Sequence, residues 1–394
     1  MSFPLGKSPE YRRQRTIAEL RNDAIPSVRL YPLSDPASQT DFISSVKRFG
    51  KQHGWTETSD ESVLTNAVAE GVLVDNYQYQ LTDYAELRRP KGHFEKNPRV
   101  LQKYLRCFDG LETGTIVEFP WKTDGRFVHI LDREPFLRLR QSRDEYAVPE
   151  IVREKLSNMR IAFAGLNVGG NEAYLFLLSG LMNFVVADGG RVDLHSFNRR
   201  IGVGVQDIGL NQAVQWMRMA YESNPYADIK GTAGFIVPDN SSESPNAIRI
   251  KDFLMGVAHL AEEIDQIPVK FSLWKEALSK GIPVSMGTDM GLSSKIDVQH
   301  DGLPFHGKVT PESLMTASSR TDAAIKLVGE NYVDPRFIEA IRQAEKDGRP
   351  FWPQPGISAF LTAAMAVTLM EMELGGKPVR PETMLNLYQL LSQE

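Results

Sequence analysis

The sequence predicts an α/β protein: a mostly parallel sheet with helices on both faces, joined to a smaller helical or α+β N-terminal part. Three observations carry this expectation. MRIAFAGLNVGG (159–170) is an apolar run that ends in a glycine turn, and NEAYLFLLSGLM (171–182) follows it at helical spacing. NFVVAD (183–188) is a second apolar run, ending on an aspartate. Strand, glycine turn, helix, strand and acid make a βαβ unit, which builds parallel sheets that bind ligands at the strands' carboxyl ends.

Taken in order, residues 1–40 are polar with scattered Pro and Arg, as in a loosely packed arm. DFISSVKRFGKQHG (41–54) and DESVLTNAVAEGVL (60–73) show helical apolar spacing. Arg-Arg-Pro and Lys-Gly then interrupt any regular element across 84–110. A boundary near residue 110 divides an N-terminal domain (1–110) from a sheet domain (111–394). TIVEFPWKTDGRFVHIL (115–131) has β-branched and aromatic residues around Thr-Asp-Gly, the signature of a hairpin. A short helix over 147–160 leads into the βαβ unit. Beyond it come a helix (211–225), a strand (228–237), helix passing into strand (252–265), a helix (274–281) and a strand (282–289). The remainder reads as mainly helical, including PETMLNLYQLLSQE (381–394).

Composition narrows the function. Forty-five basic residues against 50 acidic give a net charge of -5, leaving no broad basic field for nucleic acid. The N-terminus lacks a secretory apolar core, and the uncharged run 353–370 carries Pro, Gln, Ser and Thr, so no membrane span is expected. The single cysteine, Cys107, cannot form an internal disulfide, which suits a cytoplasmic location.

The glycine turn is the first candidate site. Gly165, Asn167, Gly169 and Gly170 stand between strand and helix, where backbone N–H groups face phosphate oxygens. Asp188 closes the next strand, placed to accept hydrogen bonds from ribose hydroxyls. Asn198, Arg199 and Arg200 lie on the following loop, where a guanidinium can neutralise phosphate charge.

These stations resemble the ThiF/MoeB/HesA adenylyltransferases, relatives of ubiquitin-activating enzymes. The matching segments are Gly165–Gly170, Ala187–Arg191, His195–Arg200, Gly209–Ala213 and Asn224–Pro225, over about residues 135–310. The resemblance implies a Rossmann-like adenylation domain, ATP and Mg²⁺ as cofactors, Arg199 and Asp265 as catalytic residues and Asp265 as the magnesium ligand. It also implies nucleotide contacts from Lys270 and from Arg140 or Arg143, and a homodimer. FPWKTDGRFVHIL, FLRLRQSRDEY and PFHG are similar to a MoeY-like branch.

Departures from the family pattern refine the expectation. No zinc cysteines flank PFHG, the family lysine is Gln212, and an acid of the aspartate-rich turn is Gly190. Without a cysteine in the sheet domain, the enzyme has no thiol there to form a thioester. The expected reaction is adenylation of a carboxylate on a ribosomally made precursor peptide, of the microcin C and pantocin A type, with capture by a nucleophile from the substrate. Residues 1–110 would then clamp the peptide. Three other readings stay open here: adenylation of the C-terminus of a ubiquitin-like sulfur carrier, a nicotinamide-dependent oxidoreductase, and a non-catalytic binding protein that kept the fold.

Overall fold

The computed structural model describes residues 24–56, 59–87, 114–239, 246–318, 320–329, 333, 335–349 and 353–392. One compact unit comprises Pro26–Ala147 with Tyr221–Tyr226, and the other contains Val148–Ala220 with the chain from Ala227 onward.

The first unit contains β1 (Arg29–Pro32), α1 (Pro36–Gln52), α2 (Asp60–Ala69), β2 (Leu73–Asp75), α3 (Tyr77–Leu87), β3 (Thr115–Glu118), β4 (Phe127–Ile130) and α4 (Arg133–Arg140). Asp35 starts α1 by accepting from the N–H groups of Ala37 and Ser38, with Pro36 in the first turn. The expected hairpin forms, running from Thr115 opposite Ile130 to Glu118 opposite Phe127. β3 also pairs with β1, and β4 with β2. The unit therefore ends at Ala147, not near residue 110, because this hairpin belongs to the N-terminal sheet. Phe42, Val46, Phe49, Val63, Ile116 and Phe127 form its core. Cys107 and the Arg-Arg-Pro segment lie outside the described residues.

The second unit contains α5 (Glu150–Asn158), β5 (Arg160–Ala164), α6 (Gly169–Leu178), β6 (Asn183–Ala187), α7 (Gln212–Ser223), β7 (Asp228–Thr232), β8 (Ile236–Val237) and β9 (Ile248–Arg249). It continues with β10 (His259–Glu262), α8 (Ile267–Ser279), β11 (Val284–Met290), β12 (Ser293–Gln299), α9 (Pro311–Met315), α10 (Arg320–Val328), α11 (Pro335–Lys346), α12 (Gly356–Leu374) and β13 (Glu382–Asn386). The main sheet has the order β13-β12-β11-β10-β5-β6-β7. Strands β7, β6, β5, β10 and β11 run parallel, and β12 and β13 antiparallel. Alternation along β5 serves both faces of the sheet. Phe163 meets Phe176 of α6, while Ala162 and Ala164 join the cluster containing Leu273 and Trp274 of α8.

Two expectations change here. Residues 382–386 of the expected C-terminal helix are β13, and the polar run 293–299 is a strand. Both belong to a buried charge network: Lys295 Nζ donates to Asp297 Oδ1 at 2.8 Å, Glu382 Oε1 at 2.7 Å and the Val328 carbonyl at 3.0 Å. Among the described residues one helix, α12, has the length and apolar composition to cross a membrane. Its Ala359, Thr362, Ala363 and Ala366 are buried, and it packs on α6, β11 and β12, as a core helix does.

The sheet's direction of growth reverses between β5 and β10. Chain order runs outward from β5 to β6 and β7, then returns to place β10 on the other side of β5. Ligands of open α/β sheets bind beyond the carboxyl ends of strands at such a switch point.

Candidate functional site

Two loops meet at the switch point, 165–168 after β5 and 263–266 after β10. Gly165 has φ +89°, and a Cβ there would lie 2.9 Å from the Glu263 carbonyl oxygen. Only glycine provides both that backbone conformation and that close approach. A cavity of about 240 Å³ opens beside it, lined by Gly165, Asn167, Asp188, Gly190, Gln212 and Asp265 among others.

Asp188 is fixed by its neighbours. Its Oδ2 accepts from the Leu166 N–H and its Oδ1 from the Gly190 N–H, both at 2.6 Å. Burial pushes this carboxyl up, opposed by those two donors and by Arg200. Each oxygen keeps a lone pair for a further donor such as a ribose hydroxyl. Two cavity-facing residues carry unsatisfied acceptors: Asn167 Oδ1 and Gln212 Oε1 are buried with no hydrogen-bond partner among the described residues. Buried polar atoms normally find partners, so these two mark where a ligand belongs.

The loop holding Arg199 is tied to α6 by Asn171. The Asn171 amide donates to the Arg199 carbonyl at 2.6 Å, and its oxygen accepts from the Ile201 N–H at 2.9 Å. Arg199 itself donates from Nη1 to the His195 carbonyl and to Asn198 Oδ1, while its Nε is buried without a partner among the described residues. Burial lowers its pKa, and the charges of Asp289 and Asp265 oppose the shift. Arg199 and Asp265, expected to act together, thus lie within electrostatic reach of each other. Arg200 takes a supporting place: buried, held to about 10 chiefly by burial, it donates to Gln215 Oε1 at 2.8 Å and favours the charged form of Asp188.

Asp265 is an exposed carboxylate lining the cavity. Among the described residues no group of three or more His, Cys, Asp or Glu forms a metal cage. Magnesium bound to a nucleotide needs only one or two protein carboxylates, with phosphate oxygens and water completing the octahedron. Asp265 fits that donor set.

Three further residues expected at the nucleotide are placed as follows. Lys270 does not line the nucleotide cavity. Its Nζ donates to Glu262 Oε2 at 2.7 Å, and both side chains are buried. The first turn of α8 carries it down to that carboxylate. Asn198 is exposed and donates to the Gln354 carbonyl at 2.8 Å, joining the arginine loop to the start of α12. Arg143 is exposed in the turn after α4, within the first compact unit. Gly169 and Gly170 begin α6. A Cβ on Gly169 would lie 2.9 Å from Glu263 Cγ, and the Gly170 carbonyl accepts from Trp216 Nε1.

Three acids were missed by sequence reasoning. Glu172 is buried in the first turn of α6, and burial pushes it up to about 8. Burial, and then the charge of Glu172, raise Glu263 well above the ordinary carboxylate range, and Glu263 Oε1 accepts from the Gly287 N–H at 2.7 Å. Asp289 at the end of β11 is raised chiefly by burial and accepts from Gln354 Nε2. For Glu172 and Glu263 the available signal was an acid inside the apolar runs NEAYLF and AEEID, and for Asp289 its place at the end of the strand IPVSMGTD.

A family model described as ThiF family matches residues 140–384, further toward the C-terminus than the motif stations extend. The uncharacterized protein MT1398 of Mycobacterium tuberculosis (strain CDC 1551 / Oshkosh) is 30% identical over 193 residues, 48% of this chain and 25% of that protein. The match therefore spans about a quarter of that curated relative. Among solved structures, PaaA is similar at 17% identity over 64% of this chain and 77% of its own, with a TM-score of 0.45. E. coli tRNA N6-threonylcarbamoyladenosine dehydratase, TcdA, is similar at 16% identity over 61% and 95%, with a TM-score of 0.43. E. coli MccB with MccA-N7isoASN is similar at 13% identity over 76% and 81%, with a TM-score of 0.44.

Proposed function

The chain belongs to the ThiF family, and from that premise we propose that it adenylates a carboxylate at the expense of ATP. The observation that carries this reading is the convergence, at one switch point, of the Gly165 turn, Asp188, Asp265 and the Arg199 loop. A dehydrogenase site would use the glycine turn and the acid, but not the other two.

In this reading a carboxylate oxygen attacks the α-phosphorus, a C–O–P linkage forms, and the bond to the β-phosphate breaks to release pyrophosphate. Asp188 accepts from the ribose hydroxyls, and the N–H groups at the start of α6 face phosphate. Arg199 meets the charge that builds on the α-phosphate as the new bond forms. Asp265 would hold Mg²⁺, which when bound neutralises phosphate charge. The chain has a single cysteine, Cys107, upstream of the sheet unit. Capture of the acyl adenylate therefore falls to a nucleophile of the substrate. A ribosomally made precursor peptide supplies carboxylate and nucleophile on one molecule, and we take it as the substrate class, with residues 1–110 as its clamp. The reading includes a cytoplasmic homodimer in which Arg140 or Arg143 reaches a nucleotide.

Paired calorimetry with ATP·Mg²⁺ and with NAD tests it. ATP·Mg²⁺ should bind, and Asp265→Ala should weaken binding at least tenfold. Binding of NAD alone would move the chain to the oxidoreductases.

A further inference from the structure

A second cavity, of about 220 Å³, adjoins the first. The two share Asn167, Glu263, Ile264 and Asp265 as a common rim. Their linings differ in character. The second is walled by Met290, Leu327, Val328, Phe337 and Ile341, contributed by β11, α10 and α11. An apolar cavity of about 150 Å³ is large enough to bind benzene, so this one admits a phenyl or branched aliphatic group with its connecting atoms.

Charge inside it restricts the occupant further. The Lys270 ammonium, which lines the cavity, is committed to Glu262 and to Met286 Sδ. It is therefore not a counter-ion for an anionic side chain. A cationic side chain would lose its hydration against Val328, Phe337 and Ile341 with no compensating partner among those walls. The carboxyls of Glu263, Asp265 and Asp289 also line this cavity, but on its strand-end side near the rim, away from the α10 and α11 walls. Asn167 Oδ1, buried and unpartnered at that rim, gives a polar group of a ligand something to meet.

We propose that the second cavity is the acceptor subsite, and that it takes a large apolar side chain or acyl group adjoining the carboxylate that is activated. This rests on the adenylation reading and names the substrate class for it. The carboxylate sits at the shared rim, facing the nucleotide, while the apolar body fills the space between β11 and the two helices.

The test uses the full chain and small acids as probes. Binding of 3-phenylpropionate and 4-methylpentanoate is compared with that of succinate and 4-aminobutyrate by saturation-transfer NMR and calorimetry, with ATP calorimetry run in parallel. Both apolar acids should bind at least tenfold more tightly than the charged pair. Ala323→Trp, which fills the cavity, should abolish their binding while ATP affinity stays within twofold, and that unchanged affinity reports a folded protein. Ile341→Ala, which enlarges the cavity, should shift preference toward 3-(2-naphthyl)propionate. Equal or tighter binding of the charged acids, or unchanged apolar binding in Ala323→Trp, overturns the subsite. ATP binding without apolar binding also overturns the subsite and leaves adenylation standing. Apolar binding without ATP binding overturns adenylation, and the acceptor role with it.

Discussion

Replacing Lys270 by methionine separates the two places this lysine could occupy. In the structure its Nζ lies 2.7 Å from Glu262 Oε2, and the two side chains are 7% and 0% exposed. At that separation the attraction is about 6 kcal/mol for an effective dielectric constant of about 20. Most of that gain is offset by stripping water from both ions. The asymmetry comes on removing one partner. Glu262 also accepts from Trp274 Nε1 at 2.8 Å and from the Ile264 N–H at 2.7 Å, so it cannot move out to water without dismantling the loop that bears Asp265. Lys270→Met therefore leaves a buried carboxylate without its cation, at a cost of about 3–5 kcal/mol. With a urea dependence of about 2–3 kcal/mol per molar, the sheet unit's midpoint should fall by roughly 1–2 M. The double variant Lys270→Met, Glu262→Gln removes the uncompensated charge and keeps an acceptor for one of the two donors, Trp274 Nε1 or the Ile264 N–H, so it should recover part of the loss. Urea titrations followed by tryptophan fluorescence, with ATP calorimetry on each variant, measure both quantities. A Lys270→Met protein as stable as the parent but without ATP affinity would refute the reasoning and return the lysine to the nucleotide.

Three further outcomes follow from the same geometry. Gly165→Ala combines a left-handed backbone with a methyl 2.9 Å from the Glu263 carbonyl, whereas Gly281, at φ +68°, has nothing within 4 Å of its added Cβ. The first substitution should therefore destabilise by more than the roughly 1–2 kcal/mol of left-handed strain expected for Gly281→Ala, and equal urea midpoints would count against the close approach. Burial holds Glu172 at about 8 against an ordinary 4.5, so the folded protein keeps a proton that the unfolded chain releases between those values. That contribution to stability is complete below pH 4.5 and declines until about pH 8. Its slope is at most about 1.4 kcal/mol per pH unit, and Glu172→Gln should flatten the urea-midpoint profile across this window. Gln212→Lys puts an ammonium where the unpartnered Gln212 Oε1 faces the cavity. ATP affinity should rise about tenfold at low salt, the equivalent of ~1.4 kcal/mol, and unchanged affinity in calorimetry would remove Gln212 from the phosphate path.

What the sequence made legible was whatever one segment could encode alone. β5, the Gly165 turn, α6, β6 and Asp188 lie within a short stretch, and their periodicity and glycines define both the strand pair and the ligand end of it. β12 was hidden because its side chains, among them Ser293, Ser294, Lys295, Asp297 and Gln299, are polar yet buried. Those residues fell within the stretch read as mainly helical, and the partner of Lys295 that marks the strand, Glu382, is 87 positions away. The same long-range pairing turned an apparent C-terminal helix into β13, since the partner strand decides the conformation of a short segment that suits either. The family resemblance assigned Lys270 to the nucleotide, a contact no single segment encodes, and the start of α8 at Ile267 turns its side chain toward Glu262. Glu172 and Glu263 gave no periodic signal at all; only folding brings them together.

The balance of charge at the switch point decides what it can hold. Asp188, Asp265 and Asp289 stand against Arg199 and Arg200, with Lys270 already spent on Glu262. A triphosphate entering this field meets carboxylates before it meets cations, and the family's lysine is absent. Two features reduce the repulsion. Burial holds Glu172 at about 8, so it adds little negative charge near neutrality, and burial likewise raises Glu263 well above the ordinary carboxylate range. Asp265, exposed at the cavity mouth, offers a hard oxygen ligand rather than a fixed repulsive charge when a divalent cation accompanies the nucleotide. Nucleotide affinity in this chain should then depend on magnesium more steeply than in a homologue that keeps the lysine, and Gln212→Lys should relax that dependence. The same field also argues against an anionic side chain on the acceptor. In the proposed reading its carboxylate would face the rim that Asp265 shares between the cavities, and the rest of the substrate gains most by being neutral and apolar, which is what the walls of the second cavity supply.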